Sequence, residues 1–180
     1  MLGGWCVLVC VVLWGCWECE TAECECNTCV DLDILDTLLD MNTTRTTDLD
    51  SRILLAHSSF DRIRGNPKLH ACVLMEVLKF YQSLLRRTSE NVNLLYFLKS
   101  MERCVRQNHT FCSVLKREAS SHLSIKGSRG VALLQISKLD QASHKLDDKV
   151  LQEKAMVELQ MLKDYVRGSG FRHYQLIKKP

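Results

Sequence analysis

Proline and glycine are scarce in this chain, with two prolines and eight glycines among 180 residues. Because these residues mark the turns of sandwiches and barrels, their scarcity disfavours a turn-rich β fold and permits long helices. No apolar run approaches the roughly 20 residues that cross a bilayer, so we expect no stable membrane insertion. The sequence also lacks G-x-S-x-G, H-E-x-x-H and a glycine-rich phosphate loop, which are signatures of enzymes. We therefore predict that the protein is not an enzyme.

The pattern of metal-ligating residues is equally sparse. Pairs of the C-x-x-C type do not recur, and the six histidines are scattered along the chain. Structural zinc sites need four such ligands at close spacing. We expect no metal, no cofactor and no nucleic-acid partner.

An uncharged apolar run occupies residues 5–17, and the acidic stretch ECETAECE follows it at once. The run fits the apolar core of a secretory signal peptide, although no lysine or arginine precedes it. A buried N-terminal helix is the alternative. We place the signal peptide at residues 1–19, with its boundary between 15 and 24. We therefore expect a secreted, extracellular protein with a helical domain at 20–167 and a basic tail at 168–180.

Cysteine is abundant, with ten residues in the chain. In an oxidising compartment most cysteines that stay after signal removal should be paired. Secretion would also make the N-x-[ST] sequences at Asn42 (NTT) and Asn108 (NHT) acceptors for glycans. We expect a disulfide-bonded glycoprotein, with the partners of Cys24 and Cys26 open.

Charge is distributed unevenly along the chain. Residues 18–50 hold ten acidic residues against one basic residue, whereas residues 51–180 hold 23 basic against 11 acidic residues. The excess of basic residues in 51–180 has two explanations. It is either part of a solvated surface around a core, or it belongs to a basic body that contacts heparan-like polyanions.

Apolar residues recur at the helical period of 3.6 along most of the chain, and strand alternation is hardly visible. The segment 66–87 opens with Asn66 as N-cap and Pro67 at the first helical position. Its two apolar rows predict a helix in the middle of a bundle. Ser89 is the predicted cap of the next helix, and the stretch 113–130 is ambiguous. The predicted helices are 29–39, 50–63, 66–87, 89–107, 131–146 and 147–166.

Three segments in this order carry a resemblance: DLDSRILL (48–55), ACVLMEVLKFY (71–81) and KAMVELQMLKDYV (154–166). They resemble the interleukin-10 family of helical cytokines, and within it most closely the interleukin-20 subfamily. The resemblance covers about 130 residues. It implies an all-α fold, the six-helix class II cytokine bundle clasped by disulfides. The stretch after Cys112 and the basic tail are longer than the family pattern.

The resemblance also implies the disulfide pairing. By position in the family pattern, Cys29 should pair with Cys104, and Cys72 with Cys112. A third bridge of the subfamily would need cysteines at 71 and 110, where this chain has alanine and threonine.

The implied function is that of a cytokine in the immune response. Such a ligand binds a heterodimeric class II cytokine receptor, so that the attached Janus kinases act on each other and on STAT transcription factors. The segment after the first helix and the last helix would form the high-affinity surface. The first and fourth helices would form the second surface. The predicted receptor-binding residues are Asp50, Arg52, Lys163 and Tyr165.

Some alternatives stay open at this point. The protein could instead be a cationic secreted helical protein that binds polyanions or acts as an antimicrobial, and a secreted helical enzyme is the least favoured class. Asp50 could be a helix N-cap, and Arg52 an exposed helix charge. Because a tight KLDDK turn favours folding back within one chain, we predict a monomer.

Overall fold

The computed structural model describes residue 30 and residues 33–39, 52–88, 91–106, 108–121 and 126–172. These ranges are helical apart from turns, a bent non-helical segment at 52–56 and an isolated bridge between Val105 and Phe171, which confirms an all-α bundle. The predicted signal peptide, Cys29, Asn42 and Asp50 lie outside the described residues. The helices are α1 (Asp33–Leu39), α2 (His57–Arg64), α3 (Pro67–Thr88), α4 (Val92–Glu102), α5 (His109–Ser120), α6 (Gly127–Ser143), α7 (Lys149–Glu158) and α8 (Leu162–Val166), with a 3-10 turn at Leu159–Met161.

Helix α3 is the centre of the bundle, as predicted. Its first turn is capped by Asn66, whose Oδ1 accepts hydrogen bonds from the backbone N–H groups of Lys68 and Leu69 at 3.1 Å each. Fourteen of its 22 residues are buried, and it packs against α2, α4, α5, α6 and α7. At about 25 cal/mol per Å² of apolar surface removed from water, this helix contributes a large part of the folding free energy.

Asparagine and aspartate side chains fix several other helix starts. Asn91 Oδ1 accepts from the Leu94 N–H at 2.9 Å, Asn108 Oδ1 from the Phe111 N–H at 3.0 Å, and Asp148 Oδ1 from the Val150 N–H at 2.9 Å. The N-cap of α4 is therefore Asn91, and the prediction of Ser89 is wrong. The predicted helix 89–107 ends early, at Glu102, because the chain there turns toward the bridge at Val105.

The ambiguous stretch 113–130 resolves into the rest of α5 and the start of α6. Helix α5 runs on to Ser120, and α6 begins at Gly127, four residues before the predicted start. The predicted last helix is divided by the 3-10 turn at Leu159–Met161.

Residues 168–172, which we call the C-terminal strap, run across the bundle instead of projecting from it. The Ser169 N–H donates to the Arg64 carbonyl at 3.0 Å, the Arg106 N–H to the Gly170 carbonyl at 2.9 Å, and the Arg172 N–H to the Cys104 carbonyl at 2.8 Å. Phe171 is only 2% exposed. The prediction of a basic tail is thus wrong for 168–172, because an apolar side chain in this stretch inserts into the core.

Gly170 lies too close to α3 for any side chain. A Cβ atom at this position would be 2.3 Å from the backbone nitrogen of Ala71. The Gly170 N–H donates to Nδ1 of the buried His70 at 3.0 Å. Nε2 of His70 therefore carries the proton, and it donates to the Tyr165 carbonyl at 2.7 Å. One histidine thus joins α3, α8 and the strap.

A disulfide joins Cys72 on α3 to Cys112 on α5, with Cα atoms 5.3 Å apart, and this confirms the predicted pair. Cys104 is buried beside the strap. Its predicted bridge to Cys29 stays a prediction, because Cys29 is outside the described residues. Among the helices in the described ranges, none is both long and apolar enough to cross a membrane.

Candidate functional site

The non-helical segment 52–56 bends at Ile53 and Leu54, lies between α1 and α2 in sequence, and is fixed to α7 by one carboxylate. Glu158 accepts hydrogen bonds from the backbone N–H groups of Ile53, at 3.0 Å, and Leu54, at 2.7 Å. The side chains of Ile53 and Leu54 are buried in the core. The segment therefore has both its backbone and its side chains anchored.

Gln135 of α6 and Tyr165 of α8 complete this attachment. The Leu55 N–H donates to Gln135 Oε1 at 2.7 Å, and Gln135 Nε2 donates to the Ile53 carbonyl at 2.9 Å. The Tyr165 hydroxyl lies 2.8 Å from the Leu55 carbonyl and 2.7 Å from Gln135 Oε1. The hydroxyl has one proton, which it can donate either to the Leu55 carbonyl or to Gln135 Oε1. We call Gln135, Glu158 and Tyr165 the anchor triad, because these three side chains satisfy the backbone of 53–55.

Burial governs the protonation of this cluster. Removal from water raises the pKa of Glu158, although the N–H groups of Leu54 and Ile53 and the charges of Lys154 and Arg52 act in the opposite direction. Burial also raises the pKa of Tyr165, and that of the neighbouring Tyr81. Both phenols therefore stay neutral at physiological pH. The cluster holds one backbone segment in place, and each of its acceptors is already occupied.

Arg52 begins this anchored segment and is half-buried. Its carbonyl accepts a hydrogen bond from Lys138 Nζ at 2.8 Å. The expectation that Ile53 and Leu54 anchor in the core is confirmed. Arg52 precedes α2 by five positions, so the alternative of an exposed helix charge is wrong.

Asp50 itself lies outside the described residues, but the alternative that it caps the next helix can be judged. Helix α2 begins at His57, and its N-cap position is Ala56. The capping alternative is therefore wrong, and a role for Asp50 in receptor binding stays a prediction.

The last helix carries the other two predicted contact residues. Lys163 is half-buried on α8, and its role stays a prediction. Tyr165 is 0% exposed and stacks on Phe60 with ring centroids 3.8 Å apart, so the prediction that it forms a surface contact is wrong. Tyr165 lies three positions after the buried Leu162 and next to the buried Val166 on α8, so it falls on the buried face of that helix.

Helices α1 and α4 pack against each other and both expose large apolar side chains. Ile34 on α1 is 49% exposed, and Val92 and Tyr96 on α4 are 58% and 62% exposed. Lys99 Nζ lies 5.3 Å from the centroid of the Tyr96 ring. Exposed aromatic residues near a cation are typical of binding surfaces. The sequence predicted a second surface on these two helices without naming its residues.

Asn108 is exposed at the start of α5. Its Oδ1 caps the helix, whereas the side-chain nitrogen, to which a glycan attaches, takes no part in the cap. Glycosylation at Asn108 is thus compatible with this geometry. It stays a prediction, as it does for Asn42, which lies outside the described residues.

No group of three or more His, Cys, Asp or Glu side chains in the described part of the chain is placed to hold a metal ion. Comparison with protein-family models, with curated proteins and with solved structures gives no match to this chain.

Proposed function

We propose that the protein is a secreted helical cytokine, similar to the interleukin-10 family, that pairs two class II cytokine receptor chains and so starts Janus kinase and STAT signalling. The observation that supports this most is the anchor triad. It holds segment 52–55 against α7 and α8 through Glu158 and Tyr165. The resemblance assigns the segment after the first helix and the last helix to the high-affinity surface. A rigid segment binds at a low cost in conformational entropy.

The second surface of the proposal is formed by α1 and α4. A ligand that pairs two receptor chains needs two separate contact regions. The exposed Ile34, Val92 and Tyr96 supply apolar contact area on these helices. Tyrosine and neighbouring cations are frequent among the residues that dominate binding energy.

The disulfide and the exposed acceptor Asn108 support passage through the secretory pathway. A bridge such as Cys72–Cys112 persists in oxidising compartments and is rare in the cytosol.

The test is binding of the purified protein to a panel of class II cytokine receptor ectodomains. We expect Arg52→Ala to weaken one receptor chain by more than about 1 kcal/mol and Tyr96→Ala to weaken the other by a similar amount. Arg117→Ala and Val114→Ala on α5 are matched controls, since both side chains are exposed and lie outside the two surfaces. If no ectodomain binds, or if both variants weaken the same chain, the proposal is wrong.

A second candidate function, binding of heparan-like polyanions, is favoured by three exposed arginines at and near the strap. Arg106 and Arg172 flank the Val105–Phe171 bridge on opposite sides, with the Arg106 N–H bonded to Gly170 and the Arg172 N–H to Cys104. Both side chains are exposed, as is that of Arg103. Binding to a heparin column that falls steeply with salt, and falls further in the Arg106→Ala variant, would support this function. Elution at the salt concentration expected from net charge alone would exclude it.

A further inference from the structure

A groove of about 360 Å³ lies beside the anchored segment. It is formed by the start of that segment, the C-terminal half of α6, the following turn and the first residues of α7. Its lining residues are Arg52, Ile53, Lys138, Gln141, Ala142, Lys145 and Leu151. Three of these seven are cationic and none is acidic. Of the other four lining residues, Ile53, Ala142 and Leu151 are apolar and Gln141 is polar.

Three acidic residues of the described part of the chain lie near the groove in sequence. Asp140 is 3.8 Å from His144 Nε2, Asp147 forms an ion pair with Arg87, and Asp148 caps α7. Glu158, which interacts electrostatically with Arg52, is buried with its carboxylate toward Ile53 and Leu54.

Within the described ranges, Glu158 acts on Arg52 only at a distance, and the three cations of the groove make no close contact with a carboxylate. None of Arg52, Lys138 and Lys145 forms an ion pair there with an Asp or Glu side chain. Lys138 is nevertheless fixed in position, because its Nζ donates to the Arg52 carbonyl. The positive charge of the groove is thus available to a group from outside.

We propose that this groove receives a carboxylate side chain from an acidic loop of a receptor chain, between the cations of Arg52, Lys138 and Lys145. This proposal rests on the function proposed above and adds α6 to the receptor-binding surface. Charge complementarity selects the partner, because the cations of the groove attract a carboxylate on the receptor loop and repel a positively charged side chain.

The apolar part of the groove favours a peptide over a sulfated polysaccharide. Its accessible apolar surface comes from the half-buried Leu151 and from Leu134, which lies one helical turn before Lys138 and is 51% exposed, whereas Ile53 and Ala142 are buried in its floor. A protein loop can cover these surfaces with apolar side chains while its carboxylate meets the cations. A polysaccharide offers sulfates but little apolar surface.

The experiment measures the affinity of the purified protein for the receptor ectodomain that it binds, with Lys145→Glu and Lys145→Gln as variants. Lys145 is exposed and makes no side-chain hydrogen bond to a described residue, so both variants should fold. We expect Lys145→Glu to weaken binding about tenfold or more, and Lys145→Gln by a smaller factor, mainly through slower association at low salt. The matched control is Lys68→Glu, which makes the same charge change on an exposed lysine of α3.

A carbodiimide, which condenses a lysine amine with a contacting carboxylate into an amide, gives a second readout. We expect cross-links from Lys145 or Lys138 to an aspartate or glutamate of the ectodomain, and none from Lys68.

The outcomes separate this proposal from the function on which it rests. Binding to no ectodomain overturns both. Binding that Lys145→Glu leaves unchanged overturns the groove alone and leaves the cytokine function standing. If Lys145→Glu abolishes binding to heparin and leaves ectodomain affinity intact, the occupant is a polysaccharide and the proposal is wrong.

Discussion

Replacement of Glu158 tests the anchor triad most directly. In Glu158→Ala the N–H groups of Ile53 and Leu54, now 3.0 Å and 2.7 Å from the carboxylate, lose their acceptor inside the core. Each buried donor left without a partner costs about 1–3 kcal/mol. Part of this cost is offset because the variant no longer buries an ionisable group. We expect a net loss of about 2–4 kcal/mol in the free energy of unfolding.

Glu158→Gln separates the contribution of the hydrogen bonds to stability from the contribution of the charge. The glutamine oxygen can accept from both N–H groups, so the expected loss at neutral pH is at most about 1 kcal/mol. Glu153→Ala, on an exposed position of the same helix, is the control and should change stability by less than about 0.5 kcal/mol.

The pH dependence follows from the raised pKa of Glu158. Below the pKa of the unfolded chain, both states are protonated and burial of this group costs little. As the pH rises through the higher pKa of the folded state, the fold must either bury a charge or hold a proton, and stability falls. The wild type should therefore lose stability relative to Glu158→Gln as the pH rises from the pKa of an unfolded glutamate, about 4.3, through the higher pKa of Glu158 in the folded protein.

The assay is urea unfolding at several pH values, combined with hydrogen exchange of the Ile53 and Leu54 amides. In Glu158→Ala both amides should exchange faster than those of α3, because the segment detaches locally. The reasoning is refuted if Glu158→Gln is as destabilising as Glu158→Ala, or if neither amide changes its exchange rate.

Five further changes can be measured by thermal or urea unfolding. Cys72→Ser opens a loop of 40 residues and should cost about 4 kcal/mol on the loop-entropy estimate; an unchanged melting temperature in the oxidised protein would contradict this. Tyr165→Phe removes one buried hydroxyl and should cost about 1–2 kcal/mol, with receptor affinity unchanged if the ring is only a core residue. Phe171→Ala should cost about 3 kcal/mol, whereas a projecting tail would give no effect. Asn108→Ala should cost about 1 kcal/mol by loss of the cap. Thr110→Ala removes only the glycan acceptor sequence and should leave the unglycosylated protein as stable as before.

The helices could be predicted from sequence because their signals are local. Asn66 and Pro67 mark the start of α3, and its apolar rows repeat over six turns. Neither the cap sequence nor the apolar repeat depends on the rest of the fold. The same reasoning failed at Tyr165, because the apolar stripe was assigned to Leu159, Leu162 and Val166 alone, whereas the buried face of α8 is wide enough to include Tyr165 as well. The partners that hold this ring in the core, Phe60 and the Leu55 carbonyl, are distant in sequence.

The site was only partly predictable, because its main determinants are contacts distant in sequence. Glu158 and Ile53 are 105 positions apart, and nothing near Glu158 marks it as the acceptor for that backbone. Lys138 lies on α6 and Lys145 lies just after it, seven residues further along the chain. This spacing places two side chains on the same face of a helix. Sequence reasoning could have noted this pair, but the segment that faces them was evident only from the fold.

The strap also has a consequence for the order in which the protein is assembled during synthesis. The Arg64 carbonyl and the His70 ring receive their partners from Ser169 and Gly170, which are 105 and 100 positions further along the chain. Chains generally begin to fold from the N-terminal side as they emerge from the ribosome. Helices α2 and α3 therefore meet long before the residues that cover their junction exist. Until then the Arg64 carbonyl and the His70 ring at this junction lack the partners that they have in the folded protein.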